Sequence, residues 1–143
     1  MQPAYSYTVN PKKNHTQIDL QLASWPFHTI EIPQTAAILQ KHLPRIFQAE
    51  CFNSRNLPFA RELKKTELGH LYEHILLEYL CMDKVKKGFP EATYSGVTTW
   101  DWMKNPPGSF QIYINESMRA PWFNSALKKC NHVFDKIIRT ATE

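Results

Sequence analysis

Apolar and polar positions alternate along this chain in two different rhythms. Between Thr16 and Leu22, the residues Ile18, Leu20 and Leu22 alternate with Gln17, Asp19 and Gln21, the period of a strand with one buried face. Ser109 to Asn115 (SFQIYIN) repeats that rhythm. Phe27 to Ile32, bounded by Pro26 and Pro33, reads as a further short strand. A helical rhythm occupies about Gln34 to Cys51, where Ala37, Leu39, Leu43, Ile46 and Phe47 share a face and Pro44 is expected to kink or divide it. A second helix is expected from Pro58 to Met82, with Leu68, Leu71, Ile75, Leu76, Tyr79 and Leu80 at three- and four-residue spacing. A third, Pro121 to Thr140, presents Phe123, Leu127, Val133, Phe134, Ile137 and Ile138. Residues 1–14 are polar, carry Pro3 and Pro11, and read as a loosely held lead-in. Asn53 to Pro58 reads as a loop. Residues 84–108 read as a long connection with some strand propensity from Thr93 to Trp100. Strands joined by hairpins and covered by helices on one face predict an α+β two-layer domain over residues 15–143, with a small, mostly antiparallel sheet.

Composition narrows this little. With 143 residues, 43 % hydrophobic and 21 % charged, the chain is long enough to bury a core without staples. No apolar run reaches the length of a membrane span and no signal-peptide pattern opens the chain, so a cytoplasmic protein without a membrane partner is expected. Cys51, Cys81 and Cys130 are an odd, widely spaced set and do not suggest a disulfide framework. The charge of +4 comes from short lysine clusters, as expected of solvated helix ends. Such a charge attracts acidic substrates modestly. Nucleic acid is an unfavoured partner, because no recognition helix, zinc finger or aromatic-basic RNA motif is present. A homo-oligomer is compatible with the sequence.

Candidate chemistry is concentrated in Gly69-His70-Leu71-Tyr72-Glu73-His74, which reads H-x-x-E-H inside the predicted second helix. Histidines at i and i+4 share a face one turn apart, where two imidazole nitrogens reach one ion. Glu73 falls beside them and can hold a metal-bound water, the inverse of the H-E-x-x-H zinc helix. Histidines satisfied at a surface or in a core are the bland alternative.

The flanks extend the pattern. Leu43-Pro44, Cys51, Phe59-Ala60-Arg61-Glu62-Leu63 and Thr66-x-x-Gly69-His70-x-x-Glu73-His74-x-x-x-Glu78 together resemble the N-terminal domain of cyanophycin synthetases. The resemblance continues through Phe110-Gln111-Ile112-Tyr113 and the last helix, covering most of residues 15–140. The ATP-grasp and Mur-ligase-like domains that make the polymer are lacking, so the chain looks like a stand-alone copy of that domain and polymer synthesis does not carry over. The resemblance implies a small metal-dependent hydrolase module with His70 and His74 as metal ligands and Glu73 as the catalytic glutamate. The motif is also similar to that of insulinase and mitochondrial-processing-peptidase enzymes and of S-ribosylhomocysteine lyases. Two stretches depart from the family: Lys87-Gly88-Phe89-Pro90-Glu91 stands where an arginine-bearing, glycine-rich stretch is usual, and Ile114-Asn115-Glu116 replaces a Val-Tyr-Glu-type strand end.

A catalytic zinc site usually has three protein ligands and a water. Glu116, at a predicted strand end that can pack against the middle of a helix, is the first candidate for the third ligand. Glu78 is the second; one turn beyond His74, it is better placed to orient that histidine. Cys81, Cys130, Asp101 and His132 are weaker options. A tetrahedral oxyanion needs a donor, and Arg119, Tyr94, Tyr113 and His132 are all open for that role. Trp100, Trp102 and Trp122 can line a cleft, although core packing or a dimer contact suits each better. The expected function is zinc-dependent hydrolysis of a peptide or isopeptide substrate, with the metal-bound water activated by Glu73. The alternative is a non-catalytic module of the same fold that recognises a peptide, a cyanophycin-like polymer or a partner protein.

Overall fold

The computed structural model describes residues 3–49, 58–89 and 94–141. Its sheet is antiparallel with strand order β1-β2-β4-β3, from β1 (Tyr5–Pro11), β2 (Thr16–Leu22), β3 (Gly96–Thr99) and β4 (Ser109–Ile114). Ile18 lies opposite Ile112 and Leu20 opposite Phe110, so the apolar set of both central strands shares one face. Against that face lie α3 (Leu68–Lys86) and α4 (Phe123–Thr140), and α1 (Thr35–His42) packs on α4. Gln17, Asp19, Gln21 and Gln111 remain half-buried on the other face. This is the two-layer α+β arrangement expected from the alternating patterns. Among the described residues no helix is long and apolar enough to cross a membrane.

The N-terminal lead-in is a correction. Tyr5–Pro11 pairs along its whole length with β2, and the Tyr5 ring stands edge-on to Phe134 with centroids 5.0 Å apart. Tyr5, Tyr7 and Val9 lie opposite Leu22, Leu20 and Ile18 and so share the helix-covered face, an alternation with Ser6, Thr8 and Asn10 that the polar composition of the segment obscures. Phe27 to Ile32 is likewise no strand: His28 makes one bridge to Glu67, and Thr29–Glu31 is a short 3₁₀ turn.

That bridge explains a further difference. The helix expected from Pro58 to Met82 is two helices, α2 (Phe59–Glu62) and α3, separated by residues 63–67. In the gap Thr29 N donates to Thr66 O (2.8 Å), Thr66 N to Thr29 Oγ1 (3.0 Å) and Leu68 N to Phe27 O (2.8 Å). Main-chain groups that find partners outside the helix have no reason to continue it. Pro44 divides the first predicted helix as anticipated, leaving α1 and a 3₁₀ turn over Pro44–Gln48. Cys51, residues 53–57 of the predicted loop, Pro90, Glu91 and Thr93 lie outside the described residues.

The helix layer sits very close to the sheet at α3. A Cβ on Gly69 would come within 2.3 Å of the Phe110 ring, and one on Gly96 within 2.9 Å of Tyr113 O and 3.1 Å of Glu73 Cγ. Two glycines thus let the motif helix settle onto β4 and β3.

Candidate metal centre

The first two turns of α3 present the motif. His70 and His74, one turn apart, bring their Nε2 atoms to 3.1 Å, with ring centroids 4.7 Å apart. Ligand atoms of His70, Glu73 and His74 all lie within 4.8 Å of one another, close enough to hold one metal ion. Two nitrogens bound at about 2.0–2.1 Å in a tetrahedral shell stand roughly 3.3 Å apart, so the observed spacing fits. Without an ion, one ring must carry its proton on Nε2 to bond the other; a cation takes that proton's place.

Neighbouring elements fix each side chain. The Thr66 hydroxyl lies 2.8 Å from His70 Nδ1, and 3.4 Å from Glu67 Oε1. When Nδ1–H donates to that hydroxyl oxygen, the Nε2 lone pair faces His74, the tautomer a metal ligand needs. Phe59 of α2 stacks on the His74 ring at 4.0 Å with an interplanar angle of 19°, and stands edge-on to His70 at 5.8 Å. Glu73 accepts a 2.7 Å hydrogen bond at Oε1 from the Thr98 hydroxyl on β3. Thr98 lies opposite Ile112, which places it on the helix-covered face. Glu73 and His74 are buried, and His70 is half-buried, so solvent meets the pair on the His70 side.

The electrostatics suit a cation. Burial, then the charge of His70, depresses His74 to about 3, and burial depresses His70 against the pull of Glu62 and Glu67. Both rings are therefore neutral at pH 7, the state a metal requires. Burial lifts Glu73 to about 7, with the Thr98 hydroxyl holding it partly down. A carboxyl poised there both takes and returns a proton near neutrality.

Glu116, the first-choice third ligand, is not brought to the histidines. β4 ends at Ile114, Asn115 N adds one more bond toward β3 at Ser95 O (3.1 Å), and the chain bends at Asn115 and Glu116. The Glu116 carboxylate then accepts from Tyr94 OH (2.6 Å), Trp122 Nε1 (3.1 Å) and Ser117 N (2.9 Å), and it lies outside the metal-competent group. Glu78 also lies outside that group, 3.9 Å from the exposed Arg45 guanidinium, and burial raises its pKa. Asp101 accepts from Met103 N in its own turn, His132 faces His42, and the Cys130 thiol is buried against Tyr72 O. Cys81 is half-buried and outside the group. Of the oxyanion donors, Tyr113 shares the open sheet face with Gln17, Tyr94 is engaged by Glu116, and Arg119 is exposed. Trp102 is a packing residue, between Phe27 and Phe110 with its Nε1 on Ser109 O at 2.8 Å.

Sequence reasoning assigned no role to Phe59, Glu62, Thr66 or Thr98. Glu62 is buried at the end of α2, close enough to His70 for its charge to be felt there. Thr66 carried a usable signal, a hydroxyl four residues before the first histidine. Thr98 carried none, because its place depends on the pairing of β3 with β4. Neither a scan against protein-family models nor a search of curated proteins returns a match for this chain.

Proposed function

We propose that this protein is a zinc-dependent hydrolase of peptide or isopeptide bonds. The observation that carries the reading is the Nε2 pair at 3.1 Å beside a buried carboxyl held at about 7. His70 and His74 would hold the ion, with Thr66 fixing the first ring and Phe59 the second. A divalent cation there supplies Lewis acidity, polarising the scissile carbonyl and making water a better nucleophile near neutral pH. Glu73 accepts the proton of the attacking water and delivers it to the departing nitrogen. Such proton transfer typically contributes about 10²–10⁴-fold. Thr98 keeps the carboxylate aimed while its other oxygen works. The similarity of the motif stretch to the N-terminal domain of cyanophycin synthetases supports this reading and makes β-linked Asp-Arg material the first substrate to try.

One observation favours a second reading, in which the same fold binds a peptide, polymer or partner without turnover. Glu73 and His74 are only 4 % and 6 % exposed, a narrow opening for a polymer backbone. Elemental analysis of protein purified without chelator, followed by hydrolysis assays of the zinc-loaded chain on β-Asp-Arg and a peptide panel, separates the two. Stoichiometric zinc with turnover supports the hydrolase; stoichiometric zinc without turnover on any member of the panel supports the binding module. Failure to take up zinc at all removes the hydrolase and leaves the binding module.

A further inference from the structure

The two edges of the sheet are unlike. β3 is four residues long, whereas β1 is seven, uncharged throughout (YSYTVNP), and among the described residues no strand pairs with its outer side. Long edges are usually blunted by lysine, a bulge or a covering element. The parity of the ladder tells which main-chain groups face outward. Ala23 N donates to Ala4 O (2.9 Å), so these two form a hydrogen-bonded pair. Antiparallel alternation then makes Ser6, Thr8 and Asn10 the residues that bond to β2. The N–H and C=O groups of Tyr5, Tyr7 and Val9 consequently point to the free edge. Pro3 and Pro11, which have no N–H to offer, flank Tyr7 at equal distances along the chain.

We propose that β1 pairs with β1 of a second copy of this chain, antiparallel about a two-fold axis at Tyr7. In that register Tyr7 faces Tyr7 of the second copy and Tyr5 faces its Val9, all with outward main-chain groups. Each opposed pair exchanges two bonds, roughly six in all. The ladder stops on each side where Pro3 meets Pro11 of the other copy, so no donor is left facing a proline. A strand of foreign sequence would not require prolines placed symmetrically about Tyr7; self-pairing does. Side chains agree with the register. Ser6 falls opposite Thr8 on the open sheet face, with no like charges opposed. On the helix side Tyr7 and Trp25, 40 % and 65 % exposed, border a groove of about 980 Å³ lined also by Tyr5, Asp135, Ile138 and Arg139. The second copy's Tyr7 enters there. A contact of one strand and two aromatics is smaller than the about 1,200 Å² of a tight complex, so the dimer is weak and concentration-dependent.

Sedimentation equilibrium of the full chain from micromolar to millimolar concentration tests this. Wild type should pass from one to two copies across that range. Val9→Pro removes an outward N–H and no bond to β2, so it should keep the circular-dichroism spectrum, with a modest fall in melting temperature for the lost Val9 packing, while weakening association at least tenfold. Tyr7→Lys sets like charges face to face on the axis and should do the same. Ser6→Cys combined with Thr8→Cys should lock the dimer under oxidising conditions, and Ser6→Cys alone should not. A wild-type chain that stays monomeric throughout overturns the proposal, leaving the edge to a strand of other sequence. So does a dimer that persists undiminished in the folded variants. If Val9→Pro fails to fold, Tyr7→Lys decides.

Discussion

The two long helices on the sheet, α3 and α4, are nearly equal in length and do opposite things with burial. α4 buries Phe123, Ala126, Cys130, Val133, Phe134, Ile137 and Ile138 on one face and no charged group. Its other face is wet, with Lys128, His132, Lys136 and Arg139 exposed. α3 is buried on nearly all sides through its first four turns, and among its buried residues are Glu73, His74 and Asp83. Asp83 is compensated by Lys129 of α4 at 2.6 Å, though among the described residues its Oδ2 has no partner. Glu73 and His74 are compensated by a hydroxyl and by another imidazole, neither of which offsets a full charge. Burying ionisable groups so lightly partnered costs stability unless they stay neutral or bind an ion. α4 therefore contributes apolar burial alone, whereas α3 combines a core face of Leu68, Leu71, Tyr72, Ile75, Leu76 and Leu80 with buried ionisable groups held at some expense of stability.

The largest effect that sharpens this contrast is on turnover. Glu73→Gln keeps the shape of the side chain and an oxygen for Thr98, but an amide accepts no proton at neutral pH. Hydrolysis should fall by about 10²–10⁴-fold with zinc content and melting temperature retained. Steady-state rates beside metal analysis check it, and a variant that turns over at the wild-type rate ends the mechanism proposed for Glu73. Loss of zinc in the same variant would make Glu73 a ligand rather than a base.

On α4 the counterpart is Phe134→Ala. Phe134 is fully buried, with Tyr5 and Tyr72 edge-on at 5.0 and 5.1 Å. The cavity should cost about 3–5 kcal/mol in urea unfolding. Zinc affinity in the surviving folded protein should hardly change, since none of these rings touches the histidines. A strong loss of affinity would mean the two helices are not separable in this way.

Acid titration of the metal-free chain reads α3 alone. Glu73 sits at about 7 in the fold against an ordinary 4.5, so between those values the folded chain binds more protons than the unfolded one. Stability falls there as pH rises, by about 3 kcal/mol over the window. His74, at about 3 against 6.5, acts in the opposite sense, with stability lost as pH falls below 6.5. Burial-depressed His70 adds to that second slope. Between pH 4.5 and 6.5 the slopes oppose, and wild-type stability should change little. Glu73→Gln leaves only the histidines, and its stability should climb by about 2 kcal/mol or more across the same interval. Urea unfolding with chelator at three pH values distinguishes the two profiles.

What the sequence made legible follows the same division. α4, β2 and β4 were readable because each buries one face against one layer, and burial of that kind writes a clean period. Pro44 was readable as a helix divider for a local reason. The break between α2 and α3 was not, because it depends on Phe27 and Thr29 taking main-chain bonds some forty residues away in sequence. β1 was missed although Tyr5, Tyr7 and Val9 alternate with Ser6, Thr8 and Asn10, because the alternation is short, built largely from tyrosine and enclosed by Pro3 and Pro11. Within the site, His70, Glu73 and His74 needed only helical spacing and were visible. Glu116 was misplaced because its carboxylate is taken by Tyr94, Trp122 and Ser117, partners that only the tertiary fold brings to it.

The smallest effect concerns Thr66, which belongs to neither helix. Its hydroxyl is 2.8 Å from His70 Nδ1 and its main chain is bonded to Thr29, so it joins the break before α3 to the geometry of the pair. Thr66→Val keeps shape and main-chain bonds and deletes the hydroxyl shared by His70 Nδ1 and, at a longer 3.4 Å, Glu67 Oε1. The His70 ring then loses its 2.8 Å contact at Nδ1, which orients the ring toward His74. Zinc affinity should drop by about 10–100-fold, with a fall in unfolding free energy of about 1 kcal/mol for the lost hydrogen bond. Thr66→Ser restores the hydroxyl and should recover most of the affinity. That rescue is what separates a positioning role from a packing one, because serine replaces the oxygen while leaving out the methyl group that valine keeps. If valine binds zinc as tightly as threonine, the Thr66 hydroxyl does not position the ring, and the break before α3 contributes nothing to the site through it.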